Sequence, residues 1–514
     1  MIDFFLKKQN NKLKILMLLS NGKKKDFSSF LSKMSIPRTS LKRALDELNA
    51  DFSEKNIPCQ LKQDDTKKYY LVFDKDDSTL TIYHRLKLVY LKESLHFQLL
   101  SLLLTSSPQS IQKLSSKLVI SPSYCYRIIR ELNRQLIPFK LNISHMKKTE
   151  NMEILGHEQT LRIFSFILLN EAYQTIEWPF HHISKNELTS SLHYQKKSHT
   201  NLSSPSKLNQ VLFYMAITDL RIKNKKRLEK MDDELISMMN ILKNNIDFLE
   251  SRKYFTRNYH LNTENLTNEV IYFNAIFRIL IVHAISPYHK QVAGEKIVVS
   301  QLNFSKNIIT ITNKLLIEFD LQNTKSIFYE SVYFLSIYKI FITLINIDIG
   351  SLLKVSYNYP VSYERYNHVK LDAVTSFCEV FLKKNPSISS PLFSKKNYIF
   401  TCIILNTLLR IYSSSTLKIY FQFSKVFLGE RLLSQMIENV FNLSTLQITT
   451  DFYQADLIIS DSLDTVTDLQ NKKCFYFHDV NDKKNWIELF QFIQLNLLAS
   501  IDTDYAAIWK EYFI

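Results

Sequence analysis

The hydrophobic pattern of residues 11–49 predicts three short helices. The first covers residues 11–20 and the third covers residues 38–49. The second begins at Asp26, a favourable N-cap, and its apolar residues fall on one helix face: Phe27, Phe30, Leu31 and Met34. A turn that ends in Pro37 separates the second helix from the third, and we expect Pro37 at the first helical position. This arrangement is typical of a helix-turn-helix domain.

The outer face of the third helix is basic. Leu41, Leu45 and Leu48 recur at i, i+4 and i+7, so the opposite side should face solvent. That side carries four residues expected to contact bases or phosphates: Arg38, Thr39, Lys42 and Arg43. Residues 58–73 then predict two strands around a turn that carries Lys67. The whole pattern predicts a winged helix-turn-helix domain, although a three-helix bundle with a solvated basic face has the same spacing.

The same order of elements recurs further along the chain, and repetition of a whole unit is more informative than either copy alone. Helices are predicted over residues 95–104 and 110–118. Ser121 is the expected N-cap of a third helix over residues 123–134, and Pro122 is its first residue. A second winged helix-turn-helix domain is therefore expected.

The third helix of this second unit has one apolar and one basic side. The side expected in the core carries Cys125, Ile128, Ile129 and Leu132. The outer side carries Ser123, Tyr124, Arg127, Arg130 and Arg134. A hairpin with strands over residues 139–143 and 152–155 follows, with Lys147 and Lys148 at its tip. Arginine can bind guanine through two hydrogen bonds, so Arg38, Arg127 and Arg130 are candidates for base reading. The other basic residues are candidates for phosphate contacts: Lys42, Arg43, Lys67, Arg134 and Lys147.

The middle of the chain is helical by pattern. The main candidates are residues 161–169, 208–223, 232–246, 268–285, 307–319, 326–347, 368–383 and 396–412. They suit two helical domains with a seam near Ser286 and Pro287. The apolar stretch 333–353 is interrupted by polar residues, which favours buried helices over a membrane span. No glycine-rich loop, paired-carboxylate motif or HExxH motif occurs, so we expect no enzymatic activity, cofactor or metal.

Short strands alternate with helices near the C-terminus. Strands are predicted over residues 417–423, 445–449, 456–460 and 474–478, and helices over 429–441 and 486–499. This order predicts a small parallel α/β sheet. Cys474 lies at a strand start and is expected to be buried. The apolar residues Trp509, Tyr512 and Phe513 suit either a dimer contact or packing of the terminus.

Charge is distributed unevenly along the 514 residues. Residues 1–160 contain 27 Lys and Arg against 16 Asp and Glu, whereas residues 401–514 contain 9 against 13. A basic N-terminal third fits polyanion binding, but a solvated lysine-rich surface has the same charge. Only 5 residues are glycine, which disfavours glycine-rich nucleotide folds. The 5 cysteines form no CxxC pair, and no signal-peptide layout occurs, so a reducing, cytoplasmic location is expected.

Three segments resemble one family of proteins. They are ISPSYCYRIIRELNRQL at 120–136, ILGHEQTLRIFSFILL at 154–169 and LDELNADF at 45–52. The pattern Leu-x-Gly-x-Glu-x-x-x-Arg is present as Leu155, Gly156, Glu158 and Arg162. These segments are similar to the stand-alone virulence regulators of Gram-positive cocci, the Mga/RofA-like group.

The resemblance implies a mostly α, multidomain fold. Its expected domains are two winged helix-turn-helix domains at 1–75 and 76–158, the second with a linker helix. Two helical bundles like the regulation domains of the sugar phosphotransferase system (PTS), called PRD-like here, would follow at 159–286 and 287–412. A C-terminal α/β domain like the EIIB phosphocarrier of that system would cover 413–514. The implied function is that of a sequence-specific transcription regulator, usually an activator of virulence or surface-protein genes. Its implied partners are promoter DNA, a second copy of the chain, PTS phosphocarriers and RNA polymerase in the cytoplasm.

The resemblance also implies phosphorylation on histidine. Candidates by position are His182, His193, His260, His283 and His289, and a core histidine is the competing interpretation for His283. The EIIB nucleophile is a cysteine after the first strand, but residues 422–425 read Gln-Phe-Ser-Lys, so we expect phosphate carriage to be lost. Two alternative functions stay open at this point: an RNA-binding antiterminator with PRD-like domains, and a PTS-type phosphocarrier.

Overall fold

The structure is a computed structural model that describes most of the chain. The described residues are 4–20, 24–34, 36–74, 77–193, 205–228, 230–242, 245–280, 286–321, 324–345, 347, 368–385, 391–412, 417–422, 429–441, 445–461, 473–477 and 482–501. The fold is mostly helical and divides into two compact units. The first unit comprises Met1–Thr312, Phe328–Val361 and Ser387–Phe400, and the second comprises Asn313–Ile327, Ser362–Pro386 and Thr401–Ile514. The domain boundaries expected from the sequence stay predictions.

The first unit begins with three helices and a hairpin, as predicted. These elements are α1 (Lys7–Leu18), α2 (Phe27–Met34), α3 (Arg38–Glu54), β1 (Cys59–Gln63) and β2 (Tyr69–Phe73). The two strands are antiparallel. Ile15, Phe30 and Leu41 are fully buried where the helices meet. The prediction that Pro37 is the first helical residue is wrong: its ψ of 144° is extended, so Pro37 is the N-cap and α3 begins at Arg38.

The predicted repeat follows, and its first helix, α4, is the linker helix. Its elements are α4 (Thr79–Glu93), α5 (Leu95–Thr105), β3 (Gln109–Ser110), α6 (Ile111–Leu118), α7 (Pro122–Leu136), β4 (Asn142–Met146) and β5 (Asn151–Leu155). Each of α4 to α7 begins after a serine whose hydroxyl accepts a backbone N–H of the first turn: Ser78, Ser94, Ser110 and Ser121. The strands form an antiparallel sheet in the order β3-β5-β4.

One strand of the second hairpin was predicted too early in the chain. The sequence indicates a strand over residues 139–143, but β4 begins at Asn142. Residues Ile137–Phe139 form a short 3₁₀ helix instead. Pro138 has no backbone N–H to give to a sheet, and the Phe139 side chain is buried, so the chain turns here before the strand begins.

The helical middle contains more helices than the pattern predicts. They are α8 (Glu158–Tyr173), α9 (Lys185–His193), α10 (Pro205–Lys223), α11 (Asp233–Ile241), α12 (Asn245–Asn258), α13 (Thr263–Leu280), α14 (Pro287–Val299), α15 (Asn303–Glu318), α16 (Lys325–Ile345), α17 (His368–Lys384) and α18 (Tyr398–Tyr412). The predicted helix 232–246 covers α11 and only the start of α12, most of which was not predicted. Helices α9 and α14 were not predicted, because their apolar residues do not form a clear stripe. Ser286, at the predicted seam, is the N-cap of α14.

The C-terminal part of the second unit is the predicted parallel α/β sheet. Its elements are β6 (Leu417–Gln422), α19 (Gly429–Val440), β7 (Leu446–Ile448), β8 (Leu457–Ser460), β9 (Lys473–Tyr476) and α20 (Lys483–Ile501). The strands pair in parallel in the order β7-β6-β8-β9. The prediction that Cys474 is buried is wrong, because β9 is an edge strand and the Cys474 side chain is exposed. Residues 423–428 and 502–514 lie outside the described residues, and with them most of the expected nucleophile position and Trp509, Tyr512 and Phe513.

Candidate nucleic-acid interface

The orientation of helix α7 is set by its N-cap and by the residues on its buried side. Pro122 occupies the first turn, and the Ser121 hydroxyl accepts the backbone N–H of Tyr124. The four residues predicted to face the core are all buried: Cys125, Ile128, Ile129 and Leu132. The opposite face of the helix is therefore held towards solvent.

That exposed face carries the predicted contact residues. Ser123, Arg127, Arg130 and Arg134 are exposed, and Tyr124 is half-buried. The Arg127 guanidinium lies 4.3 Å from the centre of the Tyr124 ring, a cation–π contact that orients the arginine. In the described part of the chain, no carboxylate forms a salt bridge with the three arginines. Their charge is thus free to meet phosphate or base edges.

Tyr126 belongs to the same face and was missed from the sequence. Its side chain is 42% exposed, an unusual position for a large aromatic residue. The residue follows Ser123 by three positions and precedes Arg130 by four, so helical spacing was the signal that identifies it.

The second hairpin stands beside α7 and is tied to it by Asn133. The Asn133 side-chain amide donates to the Ile143 carbonyl at 2.9 Å, and its side-chain oxygen accepts the Ile143 backbone N–H at 2.6 Å. Ile143 lies in β4, so the helix and the first strand of the hairpin are clamped together. Lys147 and Lys148 are exposed at the turn between β4 and β5, as predicted.

The first helix-turn-helix repeat contains the same clamp. Asn49 in α3 forms the same pair of hydrogen bonds with the backbone of Leu61 in β1. The predicted contact residues of α3 are exposed: Arg38, Thr39, Lys42 and Arg43. Lys67 is exposed at the hairpin turn, with a left-handed φ of 60°. Asp46 is exposed one turn after Lys42, at the position in α3 that corresponds to Arg130 in α7.

Helix α4 joins the two repeats within the first unit. The Tyr90 hydroxyl donates to Asp51 of α3, and Lys55 at the end of α3 pairs with Glu93. On its other side, Lys87 of α4 pairs with Glu171 of α8 at 2.5 Å. The two hairpins and their preceding helices are therefore parts of one packed body.

A family model matches this second repeat. Residues 82–169 match the Mga helix-turn-helix domain, from α4 through the hairpin and into α8. The second repeat is a Mga helix-turn-helix domain. The match supports a Mga-like regulator that binds DNA, which is the coarse part of what the sequence resemblance implied. No curated protein matches the chain.

The second hairpin is followed by a turn that only glycine fits well. Gly156 follows β5 with a φ of +145°, which L side chains rarely adopt. A Cβ at this position would lie 2.5 Å from the Leu141 side chain and 2.8 Å from the Lys140 carbonyl oxygen. This turn aims α8 into the helical middle.

Buried charges then connect α8 to two further helices. The Arg162 guanidinium is fully buried and donates to both oxygens of Glu269, at 2.5 and 2.9 Å, and to Glu158 at 2.8 Å. Glu158 also accepts two hydrogen bonds from Arg221 of α10, at 2.9 and 2.6 Å. Burial opposes ionisation of Glu158, but Arg221 and Arg162 outweigh it and hold the pKa of that carboxyl below its usual value. The family-like Glu158 and Arg162 thus have a structural role.

The candidate phosphorylation sites are scattered in the structure. His182 and His260 are exposed in loops. The Nδ1 atom of His289 lies 2.6 Å from the Ser286 hydroxyl at the start of α14. His193 ends α9, but its side chain is not among those described, and His283 lies outside the described residues. The described histidines are not brought together, and none of these positions is tested by the geometry.

Two further features bear on function. Among the described residues, no three His, Cys, Asp or Glu side chains are grouped to hold a metal ion. Helix α16 is long and apolar enough to cross a membrane, and 56% of its apolar window is buried inside the protein. The core helix of a soluble protein has the same properties, so α16 is weak support for a membrane span.

Proposed function

We propose that this chain is a sequence-specific activator that reads promoter DNA mainly through α7. The observation that carries the proposal is the exposed face of Arg127, Arg130 and Arg134, which no described carboxylate neutralises. The N-terminal part of a recognition helix supplies base contacts, so Arg127 and Arg130 are the expected base readers. Arg134 and the hairpin lysine Lys147 would hold the phosphate backbone.

The first repeat is proposed to bind the same duplex. Arg38 begins α3, and its guanidinium lies 5.2 Å from the centre of the Phe27 ring. Lys42 and Arg43 extend that exposed face, and Lys67 extends the hairpin. Asp46 weakens the local positive potential, which favours a positioning role for α3 over base reading.

The remaining roles rest on the family resemblance. We propose cytoplasmic location, self-association, recruitment of RNA polymerase and control of virulence or surface-protein genes. Phosphorylation by PTS phosphocarriers would add about −1.5 to −2 charges at a histidine in a PRD-like bundle, and exposed His182 and His260 are the accessible candidates. We further propose that the chain has no catalytic activity of its own, and that its EIIB-like sheet binds a partner.

The alternative of an RNA-binding antiterminator has less support. Such proteins use a small β-rich N-terminal module, whereas the described residues between 7 and 155 form helices with two hairpins and one further short strand. Double-stranded RNA also offers a deep, narrow major groove that a recognition helix cannot read.

The test is promoter binding by the full chain with Arg127→Ala and Arg130→Ala. Losing two bidentate base contacts of about 1–3 kcal/mol each should weaken specific binding by about thirtyfold or more, measured by fluorescence anisotropy. Non-specific duplex should lose much less. The matched control is Lys383→Ala with Lys384→Ala, two exposed lysines at the end of α17 in the second unit. Unchanged promoter affinity in the arginine variant, or stronger binding of hairpin RNA than of promoter DNA by the unmodified chain, would overturn the proposal.

A further inference from the structure

A second basic surface follows α10, outside the helix-turn-helix repeats. Residues 223–230 contain five Lys or Arg residues and one acidic residue, and we call this segment the α10 loop. Lys225, Arg227 and Lys230 have exposed side chains. Cations in the last helical turn commonly serve the helix dipole, but Arg227 and Lys230 lie beyond that turn, where the effect has faded. Their charge therefore needs another explanation.

The α10 loop is fixed in place by its own backbone. The Lys226 N–H donates to the Arg221 carbonyl, and the Lys225 N–H donates to the Ile222 carbonyl. These two bonds form a Schellman motif, in which Lys225 takes the left-handed position with a φ of 58°. Glycine or asparagine is usual there, so the Lys225 backbone is held in a conformation that lysine does not favour.

One ion pair joins the α10 loop to the second hairpin, and another joins α10 to α8 directly after that hairpin. Arg221 binds Glu158, just after that hairpin, through two hydrogen bonds. Lys226 pairs with Glu153, which lies in β5 itself. The Glu153 side chain is only 11% exposed, so this pair is partly shielded from solvent. The loop consequently lies against β5, the middle strand of the β3-β5-β4 sheet.

The tether places the α10 loop near the tip of the hairpin. Glu153 is in β5, three residues after Glu150 of the turn, and a strand rises about 3.3 Å per residue, so the tether and the tip are about 10 Å apart. Lys147 and Lys148 are exposed at that tip. A duplex touched by the tip carries one negative charge per about 1.7 Å of its axis, so further phosphates lie within the same distance.

We propose that the α10 loop is a third DNA-contacting element, which binds the phosphate backbone beyond the second hairpin through Lys225, Arg227 and Lys230. This inference rests on the proposed function, because it needs a duplex on α7. The contacts carry no sequence information. They assign a DNA-binding role to part of the positive charge in the helical middle. They also lengthen the DNA-contacting surface past the second hairpin.

The test is the salt dependence of DNA binding by the full chain with Lys225→Asn, Arg227→Gln and Lys230→Gln. Asparagine suits the left-handed position, so the Schellman motif should persist. Each lost phosphate contact reduces the slope of log K against log salt by about 0.9, so the slope should fall by about 2 to 3. Specific and non-specific duplexes should lose the same factor. Removing base pairs from the end of the duplex nearest the second hairpin should lower the affinity of the unmodified chain to that of the variant.

A charge-matched control separates contact from net charge. Lys383→Gln, Lys384→Gln and Lys396→Gln remove three exposed lysines from α17 and the segment before α18, away from the α10 loop in sequence. An equal fall in slope for both triple variants would overturn the inference, as would an unchanged slope in the loop variant. If the unmodified chain binds no duplex while folded, the proposed function itself fails. If it binds and Arg127→Ala with Arg130→Ala abolishes specificity, the proposed function stands whatever the loop variant does.

Discussion

Arg162 has no solvent-exposed surface, and its charge is balanced by the carboxylates of Glu158 and Glu269. Removing three charged groups from water is costly, and only good geometry repays that cost. Here the guanidinium donates three hydrogen bonds, and Glu158 gains two more from Arg221. This network joins α8 of the Mga helix-turn-helix domain to α10 and α13, so it fixes the orientation of the domain on the helical middle.

Arg162→Met should destabilise the first unit by about 3–5 kcal/mol, because Glu269 would remain buried without a cation. Urea unfolding followed by circular dichroism measures the loss. Arg162→Met combined with Glu269→Leu should recover most of it, since an apolar pair replaces the ion pair and Glu158 keeps Arg221. A double variant as unstable as the single one would contradict this account.

At the scale of residues, the sequence predicted well which side chains are exposed, but it predicted poorly which side chains form ion pairs with each other. The side of α7 that faces solvent follows from 3.6-residue periodicity, and every predicted core position there is buried. The partners of Glu158 and Arg162 could not be predicted, because Arg221 and Glu269 are remote in sequence and look like surface charges. Cys474 was misplaced for the same kind of reason: a strand pattern does not say which strand forms the edge of a sheet.

Both helix–hairpin repeats have an asparagine late in the third helix that binds the backbone of the next strand. Asn49 and Asn133 each follow the first residue of their helix by eleven positions. Each forms two hydrogen bonds with one backbone position of the next strand. Asparagine offers a donor and an acceptor on one planar group, so it can pair with a peptide unit as another strand would.

Asn133→Ala should loosen the second hairpin and cost about 1–2 kcal/mol of stability, for two hydrogen bonds near 1 kcal/mol each. Faster hydrogen exchange of the Ile143 amide measures the loosening directly. Promoter affinity should fall as well, because Lys147 loses its fixed position. Asn49→Ala is the matched variant: it should speed exchange at Leu61 and leave Ile143 unchanged. Equal protection of Ile143 in the Asn133 variant and the unmodified chain would show that the clamp does not hold the hairpin.

At the scale of elements, amphipathic helices, uniformly apolar helices such as α5 and α16, and the C-terminal strands were predictable, whereas weakly striped helices were not. Helix α19 and strands β6 to β8 lie within a residue or two of their predicted bounds. Helix α14 was missed, because its apolar residues are spread around the axis. The start of β4 was displaced because alternation continues into Phe139, while Pro138 ends the preceding helix.

The first unit holds both candidate recognition helices in one packed body. Helix α4 contacts the first repeat through Tyr90 and Glu93, packs against α5 of the second repeat, and binds α8 through Lys87 and Glu171. A flexible linker would let each repeat find its own site on DNA, whereas a packed spacer fixes one separation and one relative rotation. Sequence periodicity predicted both repeats, but it could not show that they are fastened together, because those ion pairs join residues far apart in the chain.

The fixed spacing predicts how the chain responds when its DNA site is lengthened. Inserting 5 bp between the two contact regions rotates one by about half a turn, so only one repeat can bind, and affinity should fall to that of the Arg38→Ala, Arg43→Ala variant. Inserting 10 bp restores the rotation but adds about 34 Å, which a packed spacer cannot span, so binding should stay weak. The affinity of the Arg38→Ala, Arg43→Ala variant itself should be the same for all three duplexes. Anisotropy titrations on the three duplexes measure these differences, and full recovery at 10 bp would show that the two repeats move independently.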